Sequence, residues 1–207
     1  MALITRANAK TWLGLAGSAD DPFLDLAIEA VQAGLDTALS RRLESQVHTE
    51  YLSGSGMPSL YLPQRPVTAV ASVEILDGPR GAVLESLAAG THYALVDSRP
   101  HERNAGCIEM RDSVLWSRQE SGPLWPVGRN NIKVVFTAGY TAETCPADLK
   151  ACLYQMLALA RQARKRGLLH SDQSLGDYSY TLATGGGFEK LPMGVLSTIG
   201  QYREVVI

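Results

Sequence analysis

Residues 21–52, DPFLDLAIEAVQAGLDTALSRRLESQVHTEYL, change their hydrophobic period part-way along, and that change decides the fold class. Asp21 is a good N-cap and Pro22 suits the first helical position. Leu24, Ala27, Ile28, Val31, Leu35, Ala38 and Leu39 then recur at helical spacing, and the pattern runs as far as Arg41-Arg42-Leu43. This is an amphipathic helix with one buried face. Gly34 weakens it locally, since a glycine in a helix interior costs about 1 kcal/mol relative to alanine. From Val47 the period becomes two: Val47, Thr49 and Tyr51 alternate with His48, Glu50 and Leu52, as in a strand.

Upstream of this stretch, Thr5 can cap a short helix ending near Leu13-Gly14, with Ala9, Trp12 and Leu13 on one side. Downstream, Ser53-Gly54-Ser55-Gly56-Met57-Pro58 reads as a turn and Leu60-Tyr61-Leu62 as the returning strand. Val67, Ala69, Ala71, Val73 and Ile75 form an alternating face closed by Asp77-Gly78-Pro79. Tyr93 to Val96 and Cys107 to Met110 are further strand candidates, and Ile132, Val134, Phe136 and Ala138 make the last strand before Gly139-Tyr140. Strands that follow one another with no helix between them argue for antiparallel pairing. Helical period returns at Pro146-Ala147-Asp148, with Leu149, Cys152, Leu153, Met156, Leu157 and Ala160 in one stripe, and runs out at Arg161-Gln162-Ala163-Arg164-Lys165-Arg166-Gly167. The acid at its start and the cations at its end both suit the helix dipole. A polar stretch, the segment Ser174 to Leu182 and a glycine linker at Gly185-Gly186-Gly187 follow. A short helix is expected after Pro192, then a strand-like tail, Tyr202-Arg203-Glu204-Val205-Val206-Ile207.

The expected fold is α+β: a small α-helical bundle with an inserted antiparallel β module and an extended C-terminal tail. As a single domain it divides into a helical part at residues 1–46 and 141–201, the β module at 47–140, and the tail at 202–207.

Composition limits the function. The chain has 207 residues, 45% hydrophobic and 19% charged, which is ordinary for a globular protein with a real core. Its 21 acidic residues against 19 basic ones leave a net charge of -2, so bulk charge does not draw it to nucleic acid; any polyanion contact needs a local patch. Cys107, Cys145 and Cys152 form neither an even framework nor a CxxC pair, which argues against a disulfide-stapled secreted domain. Met1 to Arg6 lacks the pattern of a signal peptide, and no apolar run approaches the roughly 18 residues of a membrane span. The expectation is a soluble chain made in the cytoplasm, with no membrane partner.

A search for catalytic chemistry finds little. Neither Ser55 nor Ser179 has the flanking glycines of a nucleophile elbow, and the triple glycine matches no phosphate-cradling loop. His48, His92, His101 and His170 are scattered, without an HExxH pattern or a cysteine pair to join them. Asp20-Asp21 could serve as paired catalytic carboxylates, but helix capping explains them better. No enzyme, cofactor or metal is expected; the rival reading is a small soluble enzyme assembled from distant residues such as His48, His92 and Asp97.

Two features invite binding readings. Arg161, Arg164, Lys165 and Arg166 form the one local charge concentration, fit either for nucleic-acid phosphates or for a solvated helix end. Charge alone favours the solvated end. Val205, Val206 and Ile207 fit either a strand added to another chain's sheet or a strand of the protein's own sheet.

Taken in order, the segments resemble the head–tail connector (adaptor, or head completion) family of tailed bacteriophages and prophages. The resemblance rests on Leu3-Ile4-Thr5 leading into Ala9-Lys10-Thr11-Trp12-Leu13, on the helix from Asp20-Asp21 to Arg41-Arg42-Leu43, and on Tyr61-Leu62-Pro63-Gln64-Arg65-Pro66-Val67. It continues through Val134-Val135-Phe136-Thr137-Ala138-Gly139-Tyr140, Pro146-Ala147-Asp148-Leu149-Lys150, Leu175-Gly176-Asp177-Tyr178-Ser179-Tyr180, Leu191-Pro192 and Gln201-Tyr202-Arg203. It implies a structural virion protein that forms a dodecameric ring beneath the portal, extends the channel for double-stranded DNA without reading its sequence, and offers a surface to the next neck or tail protein. By the same resemblance Tyr202, Arg203, Val205, Val206 and Ile207 would bind the portal. Arg161, Arg164, Lys165 and Arg166 would face the DNA channel or a neighbouring subunit. The location implied is the virion neck.

Overall fold

In the computed structural model, which describes residues 3–96, 106–112, 123–166, 172–175, 178–181 and 193–202, the chain folds as two compact units. One comprises Met1–Arg42 and Thr141–Ile207, the other Leu43–Tyr140.

The first unit is helical. Helix α1 spans Arg6–Leu13: Thr5 caps it, with its hydroxyl accepting from the Asn8 N–H at 3.2 Å, and Gly14 ends it in the left-handed region at φ 62°. Helix α2 spans Asp21–Leu39 and buries Leu24, Ala27, Ile28, Val31, Gly34, Leu35 and Leu39, the face its periodicity marks out. It starts and stops differently from the sequence reading. Asp20, not Asp21, sits at the N-cap position, and its side chain makes no capping hydrogen bond. The helix ends at Leu39 rather than Leu43, because Ser40 turns into the left-handed region at φ 56° while Arg41 N–H closes onto the Asp36 carbonyl at 3.2 Å. A hydrogen-bonded C-terminal turn of this kind needs no glycine, so the stop signal is absent from the sequence.

Helix α3 spans Ala147–Arg166 and buries Leu149, Cys152, Leu153, Met156 and Leu157, the expected stripe; Ala160 is only half-buried. After α3 come two strands, β8 (Asp172–Leu175) and β9 (Tyr178–Thr181), paired antiparallel; their numbers follow β1 to β7 of the inserted unit. Helix α4, Met193–Tyr202, follows Pro192 as expected and buries Val195 and Ile199. Helix α2 packs against α1, α3 and α4. Tyr202 belongs to α4, which corrects its expected place in a strand-like tail. Residues 203–207 of that tail lie outside the described residues.

The second unit is all-β among its described residues. Its strands are β1 (Gln46–Gly54), β2 (Ser59–Tyr61), β3 (Val67–Leu76), β4 (Val83–Leu87), β5 (Tyr93–Val96), β6 (Cys107–Met110) and β7 (Gly128–Ala138). They form a four-stranded sheet in the order β1-β7-β3-β4 and a three-stranded sheet in the order β2-β6-β5, every pairing antiparallel. β2 therefore does not return onto β1, as local turn chemistry suggests, but pairs with β6 across a long separation. One core joins both sheets: Leu60, Leu62 and Ile108 from one side meet Val73, Ile75, Val134 and Phe136 from the other, with Trp125 fully buried among them. Burying an aliphatic or aromatic side chain of this size stabilises by about 1.5–3 kcal/mol.

Two strands depart from simple alternation. β3 slips its register against β7 between Val67 and Ala69 and again between Val70 and Ser72. Each slip inserts a residue and reverses which face follows, so Ala69 and Ala71 are exposed while Val70 packs on the core. In β1 the inward face is the one carrying His48 and Leu52, not Val47 and Thr49.

Candidate functional site

Asp20 and Asp21 at the entry to α2 serve as ion-pair nodes in place of the expected cap. The Asp20 carboxylate accepts from Arg161 of α3, Nε at 3.3 Å and Nη2 at 3.1 Å, and its other oxygen lies 3.5 Å from Arg164 Nη1. Arg164 also lays its guanidinium over the Phe23 ring, 4.5 Å from the centroid, a favourable cation–π placement. Asp21 takes Lys10 Nζ at 2.7 Å, while Arg6 reaches Asp25 at 2.8 Å. Lys10 Nζ also donates to the Gly17 carbonyl. The start of α2 is thus held to α1 and to the last turns of α3 by side-chain charge.

This places the predicted basic cluster. Arg161 and Arg164 are engaged with Asp20. Lys165 is exposed. The Arg166 side chain lies outside the described set. A cleft of about 420 Å³ opens beside the pair, lined by Trp12, Leu13, Ala158, Arg161, Gln162 and Lys165. Trp12, which the sequence puts on the apolar side of α1, is half-exposed there and stacks on Tyr154, ring centroids 5.1 Å apart. The cleft therefore has an aromatic wall and a cationic rim, features that only the packing of α1 on α3 creates.

Of the predicted tail residues, Tyr202 is seen: its hydroxyl donates to Asp148 Oδ2 at 2.7 Å, tying the end of α4 to the start of α3. Arg203, Val205, Val206 and Ile207 lie outside the described residues.

Two of the dispersed histidines, His48 and His92, are described. His48 stacks on Phe136 at 5.5 Å, and His92 Nδ1 accepts from the Ala88 N–H at 2.8 Å. Asp97, His101 and His170 fall outside the described residues. Among the described residues no group of His, Cys, Asp and Glu gathers as a metal site would require. Cys107, Cys145 and Cys152 are free and buried, and burial pushes all three thiols up, Cys145 to about 11, against the opposing pull of Lys150. Such thiols are poor nucleophiles.

Sequence reading missed Asn131, the buried polar residue of the β unit. Its Nδ2 donates to the Pro126 carbonyl at 3.0 Å and its Oδ1 accepts from the Gly54 N–H at 3.0 Å, clamping the end of β1 to the segment entering β7. Gly54 is required there, because a Cβ would lie 1.8 Å from the Pro126 carbonyl oxygen. The signal available was Gly128 with Asn130-Asn131 just ahead of an alternating apolar run, where turn-forming residues mark an irregular strand start.

These features define a two-unit α+β chain, a helical bundle interrupted by a two-sheet β insertion. The same fold occurs along nearly the whole chain in solved structures of gene transfer agent (GTA) particles. The neck of an empty GTA particle computed with C6 symmetry matches with a TM-score of 0.61 and 19% identity, covering 99% of this chain and 91% of that one. The virion of a native GTA particle matches at 0.59 with 19% identity and the same coverage, 99% and 91%. The neck of a native GTA particle computed with C12 symmetry matches at 0.52 with 18% identity, covering 99% and 94%. At that identity the likeness is one of fold. No protein-family model and no curated sequence matches the chain. No helix among the described residues is long and apolar enough to cross a membrane.

Proposed function

We propose that this chain is a structural, non-enzymatic component of a virion neck, and that copies of it form a dodecameric ring between portal and tail that extends the DNA channel and joins head to tail. The observation that carries this reading is the fold shared over 99% of the chain with structures of GTA necks and virions. The order of sequence segments resembling head–tail connectors supports it independently.

In this reading the helical unit surrounds the channel, the segment after Tyr202 anchors on the portal through Arg203, Val205, Val206 and Ile207, and the β unit meets neighbours and the downstream neck protein. A channel wall must let DNA slide, so strong phosphate contacts would work against it. Pairing Arg161 and Arg164 with Asp20 suits that need, since it lowers the free positive charge of the cluster. Lys165, which is exposed, and Arg166 would be the cations for DNA or a neighbouring subunit. The same ion pairs weigh against a free DNA-binding protein that works through this patch.

Electron microscopy of particles made without this gene tests the proposal. Separate heads and free tails are the expected result. Complete virions of normal appearance would refute a joining role.

A further inference from the structure

The four-stranded sheet ends on one side in β1 and on the other in β4, and among the described residues neither edge has a strand beyond it. Protein sheet edges are usually blunted with lysine, proline or a covering element, because their unpaired N–H and C=O groups invite another strand. Here β1, Gln46–Gly54, and β4, Val83–Leu87, contain no lysine, arginine or proline. Both present apolar side chains to solvent instead: Val47 is 67% exposed, Val83 51% and Leu84 50%. The register irregularities lie at one end of each strand, at Leu52/Gly54 in β1 and next to Val83 in β4, and leave the rest regular.

Strand direction makes these two edges complementary. β1 is antiparallel to β7, β7 to β3 and β3 to β4, so β1 and β4 run in opposite directions. A second copy set beside the first with its sheet facing the same way brings its β1 alongside β4 as an antiparallel pair, the same kind of pairing as every other in the sheet. The contact is heterologous. Each copy offers one edge and accepts the other, which is the interface type that generates a ring when the rotation between copies closes.

We infer that β4 of one copy pairs with β1 of the next, so that the ring is held by strand addition between β units. This inference rests on the ring reading above, and it assigns to that ring a specific surface within Leu43–Tyr140, the unit that contains both edges.

The test is cross-linking of the full chain, assembled in particles, with cysteines placed at Thr49 and Glu85 and a short bis-maleimide added. The native thiols are buried, so the introduced ones are those the reagent reaches. The T49C/E85C double variant should give a ladder of covalent oligomers, while each single variant stays monomeric. Dimers from a single variant would mean that like edges meet, and would overturn the inference. V47K, which adds the usual edge-blocking charge at an exposed position, should weaken assembly at least about tenfold with no change in melting temperature. Rings by mass or microscopy with no ladder, and with V47K assembling normally, would sink the strand pairing and leave the ring reading standing. A wild-type chain that stays monomeric in particles would sink both.

Discussion

Asn131 and Cys145 show how much the β and helical units each depend on single buried groups. In Asn131→Ala the buried Gly54 N–H and Pro126 carbonyl both lose their side-chain partner. Leaving two buried polar groups unsatisfied should cost about 2–4 kcal/mol, read as a lower denaturant midpoint at unchanged slope. Cys145 sets a pH dependence. Its thiol titrates near 11 in the folded chain because burial disfavours the thiolate, against an ordinary 9.0 when exposed. Between those values the unfolded chain releases a proton that the folded chain keeps, so the native state loses stability as pH rises from about 9 towards 11. Thermal melting across that range should show the decline, and Cys145→Ala should reduce it without abolishing it, since burial raises the Cys107 and Cys152 thiols as well. Local sequence fixes neither role: an asparagine near the start of β7 and a cysteine before a helix become special only through what closes over them.

At the scale of elements, Asp20 links the N-terminus of α2 to the last turns of α3. Asp20→Ala releases Arg161 and Arg164 together. The pairs are partly exposed, so the loss in stability should be modest, about 0.5–1 kcal/mol. The larger effect should be on polyanions: two freed guanidiniums should raise non-specific, salt-sensitive DNA binding above the wild-type level in a filter or anisotropy assay. Unchanged binding would show that the cluster does not face DNA even when unpaired. Helices α2 and α3 were legible because their apolar faces recur at 3.6-residue spacing and each buries that face in its own unit; α1 was marked by its Thr5 cap and Gly14 end, and α4 by Pro192. The strands of the β unit were less so. β4, exposed at Val83 and Leu84, carries no alternating pattern, and the bulges in β3 reverse its faces midway. β8 and β9 are short, and Gly176-Asp177 between them, a dipeptide common in hairpin turns, is the local signal for their pairing.

For the molecule as a whole, the chain passes from helices into strands and back into helices, and the tail after Tyr202 is proposed as its anchor. Replacing Val205, Val206 and Ile207 with serine should abolish portal binding while leaving the melting transition of the free chain unchanged. Wild-type affinity in that variant would remove the tail from the interface.

The sequence by itself determined the α+β class, the helical faces of α2 and α3, and the buried row Ile132, Val134, Phe136 and Ala138, because each follows from a local period that only one kind of element can bury. It also carried the resemblance that points to a neck. Only the tertiary structure decided that β2 pairs with β6 instead of β1, that Asp20 binds two arginines instead of capping α2, and that Trp12 walls a cleft with Arg161. Those outcomes depend on partners far along the chain, 141 residues apart for Asp20 and Arg161 and 48 for Leu60 and Ile108. No local pattern encodes which distant group arrives, since that is set by how whole elements pack.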